Sequence, residues 1–245
     1  MSDTVTAVDN PLLDEYYRRA NHLAECTDRW PINDGQPSYY GCCEAMRADG
    51  EMGSKIRSRF SWAVPDDYAL DLIARHSPNG VVEIGAGLGY WARMLTARGV
   101  DVHAYDIAPE GNNWCEGEPW HPVAVGGPEL AGEYPSRTLL LCWPPMTSMA
   151  AEAVNAYRGD TIVYIGEGPG GCTADDTFHV QVSGKGARYC WECEDEDEGE
   201  CSYHPPCSEI PDPAWRQVDG WQHPQWWGLH DRVYVYRRLG TEVSL

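Results

Sequence analysis

Residues 81–91 read VVEIGAGLGYW: an apolar run holding one acid, three alternate glycines, then two aromatics. The run is short and β-branched, and Pro78-Asn79-Gly80 stops the helical pattern before it, so it reads as a buried strand. Gly85, Gly87 and Gly89 allow a tight turn and a close approach of backbone to a ligand, and helical spacing follows over 89–98. A nicotinamide-binding loop would want a glycine at position 90, where Tyr90 stands, so this is not the dehydrogenase fingerprint.

The same alternation extends in both directions. Upstream, DDYALDLIARHSPNG reads as an amphipathic helix with Tyr68, Leu70, Leu72 and Ile73 on its apolar side. Two earlier helices, about 10–25 and 41–59, flank the turn-rich RWPINDGQPSYYG and are expected to form a cap over residues 1–65. Downstream come a strand at DVHAYD, a Gly/Pro-rich stretch, a strand near VAV, the strand TLLLC, a helix over 147–158 and the strand TIVYIGEG. Strand and helix in alternation specify an α/β fold, doubly wound, with a mostly parallel sheet covered on both faces. The pattern breaks at about 182–213, and RVYVYRRL then closes the sheet as an antiparallel edge strand. Residues 66–245 are expected to form one domain carrying that insertion.

The chain has 245 residues with 42% hydrophobic content, enough for such a core. Its formal charge is -20, which repels phosphate backbones and disfavours non-specific nucleic-acid binding. Its bases are nearly all arginine, Lys55 and Lys185 being the lysines, which leaves room for directed contacts to phosphate or carboxylate. No run approaches the roughly 20 apolar residues of a membrane helix, and the first ten residues do not read as a targeting segment. A cytoplasmic protein with no membrane partner is the expectation; oligomeric state is not legible.

The glycine spacing after Glu83 resembles the first motif of class I S-adenosylmethionine-dependent methyltransferases, and Asp106 in AYDIAP stands where that family places an acid against ribose hydroxyls. The resemblance covers about residues 66–170. A looser likeness, through RFSWAVP, EIGAGLGYWARML, LLLCWPP, YIGEG and HPQWWGLHD, is to uncharacterised microbial proteins of the same class. It implies a seven-stranded Rossmann-like sheet, S-adenosyl-L-methionine as cofactor, and a donor site drawn from Glu83, Gly85, Ala86, Gly87, Gly89, Tyr90, Trp91, Asp106, Ile107 and Cys142. The competing reading is a glycine turn that only packs helix on strand.

By count, the end of TLLLCWPPM is the fourth strand's lip, which the resemblance sets against the transferable methyl group. Two prolines remove two donors and fix a rigid loop, with Trp143 as a stacking wall beside Pro144 and Pro145. The lip partly resembles the Asp-Pro-Pro-Tyr motif of amino-group methyltransferases, but Trp143 stands at the acid or amide position and Met146 at the aromatic one. An acceptor amine would lack its usual partner there. Glu167 in YIGEGPGGCTADD is a candidate carboxylate at the pocket mouth, and His230-Asp231 a candidate base at the same edge. Arg57, Arg59 and Trp62 could close over the donor from the cap, and GWQHPQWWGLHD forms either an acceptor-facing wall or a core plug. Each of these has a purely structural alternative.

Ten cysteines, in a chain that is not small, point to reduced thiols rather than a disulfide framework. Cys190, Cys193, Cys201, His204 and Cys207 offer two close pairs and a histidine, compatible with tetrahedral zinc, with free thiols as the other reading. The expected function is therefore methyl transfer to a polar or aromatic small molecule or nucleotide. The rivals are a nucleic-acid amino methyltransferase and a non-catalytic donor-binding, zinc-stabilised interaction module.

Overall fold

The computed structural model describes residues 9–27, 53–184, 213–226 and 229–240. The cysteine-rich stretch from 190 to 207, and residues 41–52 of the expected second helix, lie outside the described residues. The helices are α1 (Pro11–Thr27), α2 (53–59), α3 (Asp67–Arg75), α4 (Tyr90–Thr96), α5 (Met149–Ala156) and α6 (Asp176–Ser183). The strands are β1 (Val81–Ile84), β2 (Val102–Asp106), β3 (Ala124–Val125), β4 (Thr138–Cys142), β5 (Thr161–Gly166), β6 (Trp215–Trp221) and β7 (Arg232–Arg238). None of the described helices is long and apolar enough to cross a membrane.

The seven strands form one Rossmann-like sheet in the order β3-β2-β1-β4-β5-β7-β6. β1 to β5 pair in parallel, whereas β7 runs antiparallel to both β5 and β6. The closing strand is thus antiparallel as its sequence suggested, but it is not the edge. β6 is the edge, and β7 is paired along both sides, which is why Val233 and Val235 are fully buried.

Every residue of β1 and β5 is buried, as central strands covered on both faces require. Side chains alternate between two cores. Leu140, Val163, Ile165, Val233 and Val235 meet α3, α4 and the N-terminal Leu12, Ala63 and Val64. Leu139, Leu141, Ile162, Tyr164 and Tyr236 meet α5, α6 and Trp215. Each fully buried aliphatic side chain here contributes about 1.5–3 kcal/mol.

Helix ends follow local chemistry. Asp66 caps α3 by accepting from the Ala69 N–H at 2.7 Å, and Asp175 caps α6 by accepting from the Phe178 N–H at 2.9 Å. Ala69 rather than Tyr68 completes the buried face of α3; Tyr68 is half exposed and lies against the Trp221 ring at 4.0 Å. The start of α1 is tied to α4, because the Tyr90 hydroxyl donates to Asn10 Oδ1 at 2.8 Å and accepts from the Leu12 N–H at 3.1 Å.

Candidate functional site

The sheet order reverses between β1 and β4, which opens a crevice at the carboxyl ends of these strands, the place where open α/β sheets bind ligands. Three segments end there, the glycine loop after β1, Asp106 at the end of β2 and the Trp-Pro-Pro lip after β4, with Glu167 after β5 one strand further along the same end of the sheet.

The glycine loop is held by backbone and by one carboxylate. Gly85 and Ala86 both donate to the Tyr105 carbonyl, at 2.8 and 2.9 Å. Asp106, 6% exposed, accepts from the Gly87 N–H through Oδ2 and from the Ala108 N–H through Oδ1, each at 2.9 Å. One hydrogen bond per oxygen leaves each with a lone pair to spare. Gly85, Gly87 and Gly89 all have positive φ, between 56° and 77°. Ile107 beside Asp106 is exposed, whereas Tyr90 and Trp91 are buried in the core under the N-terminal helix.

Chain from two directions crosses over this loop. Trp120 donates its N–H to the Leu88 carbonyl and its indole N–H to the Arg59 carbonyl, both at 2.7 Å, while Phe60 stacks on its ring at 4.8 Å. The Glu116 N–H reaches the Ser58 carbonyl at 2.9 Å. Cys115 lies against Gly87, where a Cβ would come within 2.7 Å of its sulfur. The sequence suggested closure by Arg57, Arg59 and Trp62, and the structure adds residues 112–121, whose irregular pattern gave no signal of a crossing.

Glu83 is 1% exposed, and its Oε2 has no hydrogen-bond partner. Burial first, and then the charge of Asp106, push its carboxyl up to about 8 against a backbone hydrogen bond from Ala92. Nearby, the Cys142 thiol is raised well above its ordinary range, first by burial and then by Glu83, with a hydrogen bond to Ser61 opposing. Both effects favour the thiol over the thiolate at Cys142.

At the lip, Trp143 adopts φ 50°, a left-handed conformation that a bulky residue rarely takes. It is pinned on three sides. Its N–H donates to the Ile165 carbonyl at 2.7 Å, its indole N–H donates to Asp231 Oδ2 at 2.8 Å, and its ring stacks on Trp62 at 5.2 Å. Pro144 offers its carbonyl to the Ala174 N–H at 2.9 Å, which ties the lip to the loop after β5. Pro145 accepts from the Thr147 N–H at 2.7 Å.

Asp231 is fully buried and His223 is 2% exposed. His223 Nδ1 faces the Pro224 carbonyl at 2.9 Å, an acceptor only, so Nδ1 carries the proton. Its Nε2 lies 3.3 Å from Asp231 Oδ2 without an aligned hydrogen bond, and Asp231 Oδ1 has no partner. Trp91, in T-shaped contact with His223, and Trp226 likewise have unpartnered indole nitrogens. Buried polar groups are normally satisfied, so these unpartnered atoms stand out among the described residues. His223 was not singled out from the sequence; it stood inside the quoted GWQHPQWWGLHD.

Glu167 is 7% exposed. It accepts from the Cys172 N–H at 2.7 Å and from the His230 N–H at 2.8 Å, while the His230 ring is mostly exposed at 3.8 Å. Burial by itself would raise this carboxyl, but the Cys172 and His230 donors outweigh it and hold it below the usual range. The two halves of the His230-Asp231 pair thus face different partners, His230 beside Glu167 and Asp231 beneath Trp143.

Among the described residues no three His, Cys, Asp or Glu side chains form a group that could hold a metal ion, and Cys115, Cys142 and Cys172 are free thiols.

No family model matches the chain, and no curated protein matches it. Two solved structures resemble it slightly: crystal structures of a mutant of MtNAS, one in complex with S-adenosylmethionine. Each is 12% identical with a TM-score of 0.33 over 92% of this chain, covering 97% and 75% of the respective neighbours. At a TM-score of 0.33 neither bears on the chemistry of this chain.

Proposed function

We propose that this chain is an S-adenosyl-L-methionine-dependent methyltransferase acting on a polar or aromatic small molecule or nucleotide. The observation that carries the reading is Glu83: a buried carboxyl with an orphaned oxygen, beside the glycine loop and Asp106 at the switch point. The donor set suits this cofactor. Glu83 supplies a carboxyl for an ammonium group, Asp106 has lone pairs left for a ribose diol, and Gly85, Gly87 and Gly89 let the backbone approach closely. When bound, S-adenosyl-L-methionine supplies a methyl group on a sulfonium for direct displacement.

The protein's part is positioning and exclusion of water. Trp143, Pro144 and Pro145 form a floor that the Asp231 bond and the Ala174 bond keep rigid. Residues 58–62 and 112–121 roof the loop, so a cap over residues 1–65 and a catalytic domain over 66–245 remain the division we favour. The formal charge of -20 favours a small acceptor over a polymer of phosphates.

The test is calorimetric titration with S-adenosyl-L-methionine at pH 7 in two buffers of different ionisation enthalpy. Glu83 is protonated there when unpartnered and ionises against an ammonium, so binding should release close to one proton, and Glu83→Gln should release none. Absence of binding refutes the reading. Binding without label transfer from methyl-labelled donor to any fraction of a cell extract favours a non-catalytic module.

A further inference from the structure

The loop after β5, the segment before β7 and Met146 of the lip border an open cleft of about 550 Å³ whose described lining includes Glu167, Leu229 and His230. That volume is within the range of small-molecule sites. We propose that this cleft holds the acceptor and selects one that carries a cationic nitrogen, with Glu167 as the recognising carboxylate. The proposal rests on the methyl-transfer reading for the word acceptor, and on the cleft itself for the charge preference.

Glu167 is fixed rather than free to rotate, because each of its oxygens accepts a backbone N–H, one from Cys172 and one from His230. Those donors keep it ionised at neutral pH despite its burial. Among the described residues the lining holds no lysine or arginine, and the imidazole that faces the carboxylate is the exposed one of His230, 3.8 Å away. Among the described residues no lysine or arginine pairs with this buried carboxylate, and such a group is the half of an ion pair that a ligand can complete. The remaining walls, Met146, Pro169 and Leu229, are apolar and suit an alkyl or aromatic body.

Position agrees with this chemistry. The cleft opens two strands from β1, and the Ala174 N–H to Pro144 carbonyl bond makes its loop continuous with the lip. Trp143 cannot offer an acceptor the side-chain oxygen of the amino-methyltransferase motif. Glu167, one strand over, supplies a carboxylate at that face. A formal charge of -20 also draws cations towards the chain.

Three matched probes test the proposal on the full chain without donor: phenethylamine, 2-phenylethanol and phenylacetate, titrated by ligand-observed NMR. The amine should bind about tenfold or more tightly than either of the others, the preference falling as salt rises. Glu167→Gln should remove the preference. Met146→Lys, at an exposed position, should reverse it towards phenylacetate without disturbing the loop. Equal binding of the three probes, no binding of the amine at about 10 mM, or a preference unchanged in both variants overturns the proposal. Donor affinity is measured separately. Donor binding without amine selectivity refutes the cleft and leaves methyl transfer standing; amine selectivity without donor binding keeps the cation site and removes its role as acceptor pocket.

Discussion

Trp143 and Asp231, 88 positions apart in the chain, are joined by an indole N–H donating to a fully buried carboxylate at 2.8 Å. The bond spans from the end of β4 to the start of β7, over the top of β5, and it holds a tryptophan in a left-handed backbone conformation. Asp231→Ala would leave the indole nitrogen unpaired beside a buried imidazole. Leaving a buried neutral donor unpaired in this way costs about 1–3 kcal/mol. Asp231→Asn keeps one acceptor oxygen and should cost less. Urea denaturation of both variants checks the order, and equal losses would show that the carboxylate does not pin Trp143.

Glu83 makes stability depend on pH in the direction opposite to an ordinary paired carboxylate. Its folded value of about 8 lies above the usual 4.5, so its contribution is fully present below about 4.5 and is lost as pH rises towards 8. The slope is at most about 1.4 kcal/mol per pH unit. Glu83→Gln should match the wild type near the bottom of that window and become progressively more stable than it towards the top. Melting curves across the window, read as the difference between the two proteins, decide this; a constant difference would mean that Glu83 is ionised in the folded state.

Two glycines of the same loop should respond differently to alanine. At Gly85 a Cβ would meet the Met149 Cε, the far end of a flexible side chain that can swing away. At Gly89 it would meet the His121 Cβ and Val123 Cγ2, both at 2.9 Å, the first of which cannot move without shifting backbone. Both pay for positive φ, about 1–2 kcal/mol, and Gly89→Ala should cost about 1–3 kcal/mol more for overpacking. Paired denaturation curves would reveal the gap.

Asp106→Ala should weaken S-adenosyl-L-methionine binding by about 1.5–3 kcal/mol through lost charge-assisted contacts. Because the carboxylate also holds the Gly87 and Ala108 N–H groups, the variant should lose loop order as well. Calorimetry reads the first effect and amide hydrogen exchange at Gly87 the second. An unchanged donor affinity would remove Asp106 from the donor site.

The central sheet was legible because its strands are buried on both faces and therefore read as continuous apolar runs, VVEI, TLLLC and TIVYIG. β6 was not, because WRQVDGW carries a single buried residue and a register shift between Gln217 and Asp219 breaks its alternation. α6 had a start and a stop in plain view, Asp175 as N-cap and Gly184 at φ 63°, but an eight-residue helix between a glycine-rich loop and an acidic stretch gave little periodicity to find. The candidate carboxylates Asp106 and Glu167 were read from strand ends. Their partners were not, since Trp143 with Asp231, and Glu167 with His230, meet only through the crossing that inserts β7 beside β5.

That insertion also sets an order of events during synthesis. β5, whose six residues are all buried, has no neighbour on one side until Arg232 and the residues after it have emerged, because β6 reaches the sheet only through β7. A nascent or truncated chain ending before β7 would therefore present TIVYIG as an open, apolar strand edge, the kind that templates association with another chain. β7 is thus the strand that closes this apolar edge.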